Sequence, residues 1–189
     1  MENIGEAWHR ATAERVGKAV AKFRKDAGMT AQQLAERCRE LQVPIHRTTI
    51  TKIEGGRGRF DLGELLILAA ALDVPPIVLL YPDLPDGDIE IIPDRPATSW
   101  TAYLWATGMA PSFLNAGERS NGYRLVQAVS ERHELGMERG KLQVRIGLYP
   151  PDGDPAVRES MENRVSAINV RIGQLDSEIR ELRGVLKDA

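Results

Sequence analysis

A chain of 189 residues has room for one ordinary domain or two small ones, and its 42% hydrophobic and 28% charged residues fit a soluble globular class. One cysteine, Cys38, excludes an internal disulfide framework and points to a reducing compartment. The net charge of −2 hides an asymmetry, because residues 1–60 hold 12 Lys/Arg against 7 Asp/Glu whereas residues 61–189 hold 13 against 20. A basic module joined to an acidic remainder suits a polyanionic partner.

Residues 1–11 contain no apolar core segment, so no secretory leader is expected. The first predicted helix covers residues 12–27, with Val16, Val20, Phe23 and Ala27 at helical spacing. Gly28 stops it, since glycine takes the left-handed conformation without a Cβ clash. Thr30 and Gln33 form a capping box that opens a second helix, whose buried edge is Leu34, Ala35, Cys38 and Leu41, and Pro44 closes that region. A short third helix over residues 47–54 has only Ile50 and Ile53 as large apolar residues, so one narrow stripe is pinned to a core and the rest presents Arg, Thr and Lys. Gly55-Gly56 ends it. Asp61 with Glu64 makes a second capping box, and Leu62, Leu65, Leu66, Ala69 and Leu72 line the fourth helix. Pro75-Pro76 favours the start of a fifth, residues 77–80. The greasiest run, 65–81, is broken by Asp73, Pro75 and Pro76 too early to span a membrane.

Residues 82–98, with four prolines and several aspartates, read as a linker. In the α-rich middle region, 99–149, Trp100, Tyr103, Leu104 and Trp105 form an aromatic cluster expected in a core, and Tyr123, Val126 and Val129 suggest a further helix. Leu142, Val144, Ile146 and Leu148 alternate as a strand would; a helix continuing through Gly140 is the other reading. Residues 150–155 read as a turn or second linker.

Over residues 157–188, Met161, Val165, Ile168, Ile172, Leu175, Ile179, Leu182 and Leu186 recur at spacings of 4 and 3, the rhythm of a coiled coil. With Val165, Ile172, Ile179 and Leu186 at position a and the others at d, a parallel two-stranded dimer is favoured. Arg171 then faces Asp176 of a partner helix, and Glu178 faces Arg183. The competing arrangement folds this helix back on the middle region; the charge pairs favour self-association.

A capped second helix followed by a third with one buried stripe is a helix-turn-helix pattern, the third helix lying in the major groove. The runs TAQQLA (residues 30–35), RTTITKIEGG (47–56) and DLGELLILAAALDV (61–74) together resemble the phage repressor/Cro family of DNA-binding domains, the XRE-type regulators, over residues 12–81. The resemblance implies a mainly α protein with an N-terminal five-helix lambda-repressor-like DNA-binding domain, followed here by the α-rich middle region and the C-terminal coiled-coil helix. It implies that Arg47, Thr48, Thr51 and Lys52 read base edges, and the placement of these residues around the helix from Ile50 and Ile53 agrees. Arg57 and Arg59 suit phosphates, as do Thr30, Gln32 and Gln33 at the start of the second helix. The resemblance also pairs Glu54 with Arg24 as a structural ion pair. Two departures stand out. Ala31 occupies a position where the family commonly has Gln, and residues 39–45 add roughly five to the usual turn of 3–4, so a longer second helix and a looser turn are expected.

Catalysis is not expected. His133-Glu134 begins a zinc-protease pattern, but its second histidine position is Met137. Ala116-Gly117 matches the self-cleavage dipeptide of some phage repressors, yet Ser120 and Lys141 are followed by too little chain for the peptidase. The expectation is therefore a cytoplasmic, non-enzymatic regulator of a bacterial or phage-infected bacterial cell, needing no cofactor or metal. It binds double-stranded operator DNA as a homodimer through the C-terminal helix and represses by occlusion. The alternative is an antitoxin or anti-repressor module, with DNA binding secondary.

Overall fold

The computed structural model describes residues 3–57, 61–110 and 120–187. The chain divides into two compact units, 1–104 and 105–189.

In the first unit, five helices form a bundle: α1 (Ile4–Asp26), α2 (Ala31–Glu40), α3 (Arg47–Glu54), α4 (Leu62–Leu72) and α5 (Pro76–Leu80). Val16, Val20, Leu34, Cys38, Ile50, Ile53, Leu68 and Leu79 are its buried centre. Four of these helices end alike: Gly28, Gln42, Gly56 and Asp73 take positive φ, and the next residue's amide reaches back to a carbonyl five residues earlier. That closure satisfies carbonyls a helix end leaves open. The starts of α2 and α4 carry the two expected capping boxes, Thr30 with Gln33 and Asp61 with Glu64.

Several expectations change here. Helix α1 begins at Ile4, two turns before residue 12, with Asn3 capping the Gly5 amide. Trp8 in that extension donates from Nε1 to the Glu90 carbonyl at 3.1 Å, and this tertiary bond fixes a stretch without a strong apolar period. Leu62 and Leu66 on α4 are exposed, and Leu68 and Ala71 are buried in their place. Leu41 is exposed too, because α2 has already ended one residue before it. The stretch read as a linker holds an antiparallel ribbon, β1 (Asp88–Glu90) and β2 (Pro96–Thr98), with Ile89 opposite Ala97. Helix α6 (Ser99–Ala106) follows. The aromatic cluster is not its buried face: Ser99 and Ala102 are buried, whereas Trp100 is exposed and stacks on Tyr103 with ring centroids 5.2 Å apart.

The second unit is built on a helical pair, α7 (Asn121–Gly147) and α8 (Pro155–Lys187). Helix α7 runs straight through Gly140, so residues 142–148 do not form a strand. The coiled-coil expectation for α8 needs correction. The d row, Met161, Ile168, Leu175 and Leu182, is buried within this single chain, while Val165, Ile172 and Ile179 are half-buried and Leu186 is exposed. Of the charges assigned to a partner helix, Arg171, Asp176 and Glu178 are satisfied by α7. Arg171 pairs with Glu131 at 2.7 Å and Arg124 with Glu178 at 3.2 Å, Asp176 pairs with Arg132, and Arg164 pairs with Glu138 at 2.7 Å. Partner numbers rise along α7 as they fall along α8, which defines an antiparallel hairpin. Hydrogen bonds from the Arg171 and Arg164 guanidiniums hold the Glu131 and Glu138 carboxyls below the usual carboxylate range. The physical reason α7 covers the stripe within the chain is local concentration, since it is tethered seven residues away. No helix among the described residues is long and apolar enough to cross a membrane.

Candidate nucleic-acid interface

Helix α3 owes its position to two contacts with the rest of the bundle. Ile50 and Ile53 are fully buried, and Gly17 of α1 lies under the end of α3, where an added Cβ would meet the Ile53 carbonyl oxygen at 2.1 Å. Only glycine permits that approach. The second contact is ionic. Arg24 donates from Nε to Glu54 Oε1 at 2.6 Å and from Nη2 to Oε2 at 2.9 Å, and its Nη1 donates to the Met29 carbonyl at 2.6 Å. The two side chains are only 12% and 14% exposed, and donating hydrogen bonds to the Glu54 carboxylate raises the Arg24 pKa. One guanidinium thus ties the end of α1, the entry to α2 and the end of α3.

With that stripe fixed, Arg47, Thr48, Thr51 and Lys52 are all exposed on the opposite side of α3. At about 100° per residue they span one contiguous sector. Arg47 and Thr51 form one row and Thr48 and Lys52 the other. Thr51 Oγ1 donates back to the Arg47 carbonyl at 3.1 Å, leaving that oxygen free to accept from a base amino group. The His46 N-cap has no side-chain hydrogen bond to the helix, so the first amides of α3 lack an internal cap.

The residues expected at phosphates divide. Thr30 and Gln33 are exposed but cap each other: Thr30 Oγ1 accepts from the Gln33 amide and Gln33 Oε1 accepts from the Thr30 amide. Gln33 retains only its Nε2 donors for a ligand. Gln32 beside them is exposed. Arg57 is half-exposed and ion-paired with Glu64, a contact visible only once α3 and α4 are placed. Arg59 lies outside the described residues. The α2–α3 connection, residues 41–46, is longer than the usual turn, as the sequence implies. Its geometry starts from the left-handed Gln42 and returns through buried Ile45.

Sequence reasoning missed Trp8 and Arg15. Arg15 donates from Nε to the Leu80 carbonyl at 2.9 Å, tying α1 to the end of α5. Neither residue carried a signal beyond its type, because each acts through a backbone carbonyl more than 60 positions away.

A helix, a turn and a second helix with a cationic, hydroxyl-bearing outer face are now in place. The model of the family described as "Helix-turn-helix domain" matches residues 13–79. This segment is a helix-turn-helix domain. The match spans the bundle from α1 to α5, and domains of this XRE type are regulatory, non-catalytic DNA-binding modules. Comparisons with curated proteins and with solved structures find no match. Within this domain α2 and α3 are the two helices that flank the turn.

Proposed function

We propose that this protein is a sequence-specific transcriptional regulator that binds operator DNA as a dimer and represses by occluding polymerase. The observation that carries the reading is the division of α3 into a buried Ile50/Ile53 edge and an exposed Arg47, Thr48, Thr51 and Lys52 edge. Arg and Lys donate to the guanine O6 and N7 acceptors, and Thr bonds a base or touches the thymine methyl. Gln32, the Gln33 amide nitrogen and Arg57 flank that edge as phosphate donors, with Arg57 exchanging its Glu64 partner for phosphate or sharing it. Phosphate contacts set register and base contacts set sequence preference. A bundle of phage-repressor type and a cytoplasmic location belong to this reading.

Dimerisation is assigned to the C-terminal unit. Its α8 heptads are half used within the chain, so the two-stranded coil is replaced by a hairpin as the associating body. Two half-sites held by one dimer then lie about 34 Å apart or a multiple of that.

Binding of the full chain to random-sequence and selected DNA across a salt series tests the function. A regulator binds one site 10³-fold or more above random DNA, on the order of magnitude of specific systems, and weakens steeply with salt. Weak binding without site preference would instead favour a protein-interaction module.

A further inference from the structure

From Val129 to Leu148, the face of α7 turned away from α8 has no partner among the described residues. Val129, Met137, Val144 and Leu148 are 48%, 54%, 63% and 79% exposed, and Val126 beside Gly108 is exposed as well. At helical spacing they fall in one sector about 100° wide, opposite the residues that bond α8. No Lys, Arg, Asp or Glu lies in that sector; its polar members are Ser130 and His133. Gly136 and Gly140, four apart, lie on the same side, and a Cβ at either would meet nothing within 4 Å. Glycine is a poor helix former, and nothing among the described residues requires it at these two positions.

The flanking charges give the occupant. Arg124, Glu131, Arg132 and Glu138 on the inner side of α7 all pair with α8. Glu134 and Lys141, beside the apolar stripe, are exposed and have no ion-pair partner among the described residues. In an antiparallel pair, facing residues have numbers of constant sum. A twofold axis through Met137 sets Val126 against Leu148 of the second copy and, within one residue, Val129 against Val144. The same register sets Glu134, again within one residue, against Lys141 of the second copy, twice by symmetry, and brings Gly136 and Gly140 near the crossing, where the backbones can approach.

We propose that two copies of this chain associate through the outer faces of α7, antiparallel about Met137, making a four-helix body from two hairpins. The proposal rests on the dimeric reading above and names the face that carries it. Isologous contacts of this kind require a self-complementary patch, and both the apolar residues and the charges here are arranged symmetrically.

The test uses the full-length chain in sedimentation equilibrium. Glu134→Lys and Lys141→Glu each bring two like-charged pairs together and should weaken association on the order of tenfold or more. The double variant Glu134→Lys with Lys141→Glu restores both pairs and should recover association to within about threefold, since pair energies at rims are small. Both sites are exposed, and helicity by circular dichroism reports that the variants fold. Met137→Cys should cross-link copies on mild oxidation, whereas Ile172→Cys on α8 should not. A dimer indifferent to the charge variants, or one cross-linked through Ile172→Cys alone, overturns this face while leaving the dimeric reading intact. A wild-type chain monomeric at micromolar concentration overturns both.

Discussion

Replacing Glu54 by alanine removes the acceptor for two Arg24 donors and leaves a guanidinium that is only 12% exposed with one remaining bond, to the Met29 carbonyl. Breaking one partner of a buried pair costs about 3–5 kcal/mol. Residual exposure and the surviving bond bring the expectation to about 2–4 kcal/mol. For a bundle of this size that corresponds to a fall in melting temperature of roughly 10–25 °C. The chain supplies its own local probe, because Cys38 is fully buried in the bundle core and burial pushes its thiol pKa up. Thiol labelling against temperature therefore reports opening of the first unit, whatever the hairpin does. Glu54→Ala should move the onset of Cys38 labelling down by that interval. Replacing both Arg24 and Glu54 by leucine should recover part of the loss, since no lone charge is left behind. Unchanged labelling in Glu54→Ala would refute the argument that this pair holds the end of α3.

Other perturbations test the remaining contacts. Gly17→Ala drives a Cβ to 2.1 Å from the Ile53 oxygen and should cost more than about 2 kcal/mol, again read at Cys38; labelling at the wild-type temperature would count against the close approach. Gln42→Gly relieves a left-handed glutamine at φ 64° and should stabilise by about 0.5–1 kcal/mol in urea unfolding; a loss of stability would mean its side chain matters more than its backbone. The Glu131 and Glu138 carboxyls have depressed pKa values in the folded hairpin, so their contribution is full above the ordinary glutamate range and is lost as pH falls below it. The urea midpoint of a fragment-free, full-length sample followed by helicity should be flat above about pH 5.5 and fall below about pH 4.5, less so in high salt. A fall centred near neutrality would assign the pH dependence to other groups.

What could be read from the sequence was local. The capping boxes at Thr30 and Asp61, the stop at Gly28 and the Ile50/Ile53 stripe depend on residues within one or two turns, and each is found where its chemistry puts it. What escaped depends on distant partners. The start of α1 is held through Trp8 by a carbonyl 82 residues away, and the ribbon joins two three-residue strands of low strand propensity, one beginning with proline. On α7, Arg132 and Arg139 stand among the residues that face α8, where they bond Asp176 and Asn169, and so blur the apolar period a partner for α8 should show. Heptads on α8 specified that a stripe is covered. They did not specify by which helix. At α3, the exposed edge was legible because its opposite, two buried isoleucines, leaves no other arrangement of an eight-residue helix.

The most direct test of the account is the sequence preference of Thr48→Ala and Lys52→Ala, measured by selecting bound sites from random DNA and titrating the selected site. Both side chains are exposed and the Ile50/Ile53 edge is untouched, so stability should change by no more than about 0.5 kcal/mol. Each variant should lose about 1–3 kcal/mol of affinity for the site and relax preference at one or two base pairs. Tight binding with the wild-type preference intact in both variants would contradict the assignment of α3 as the helix that reads DNA.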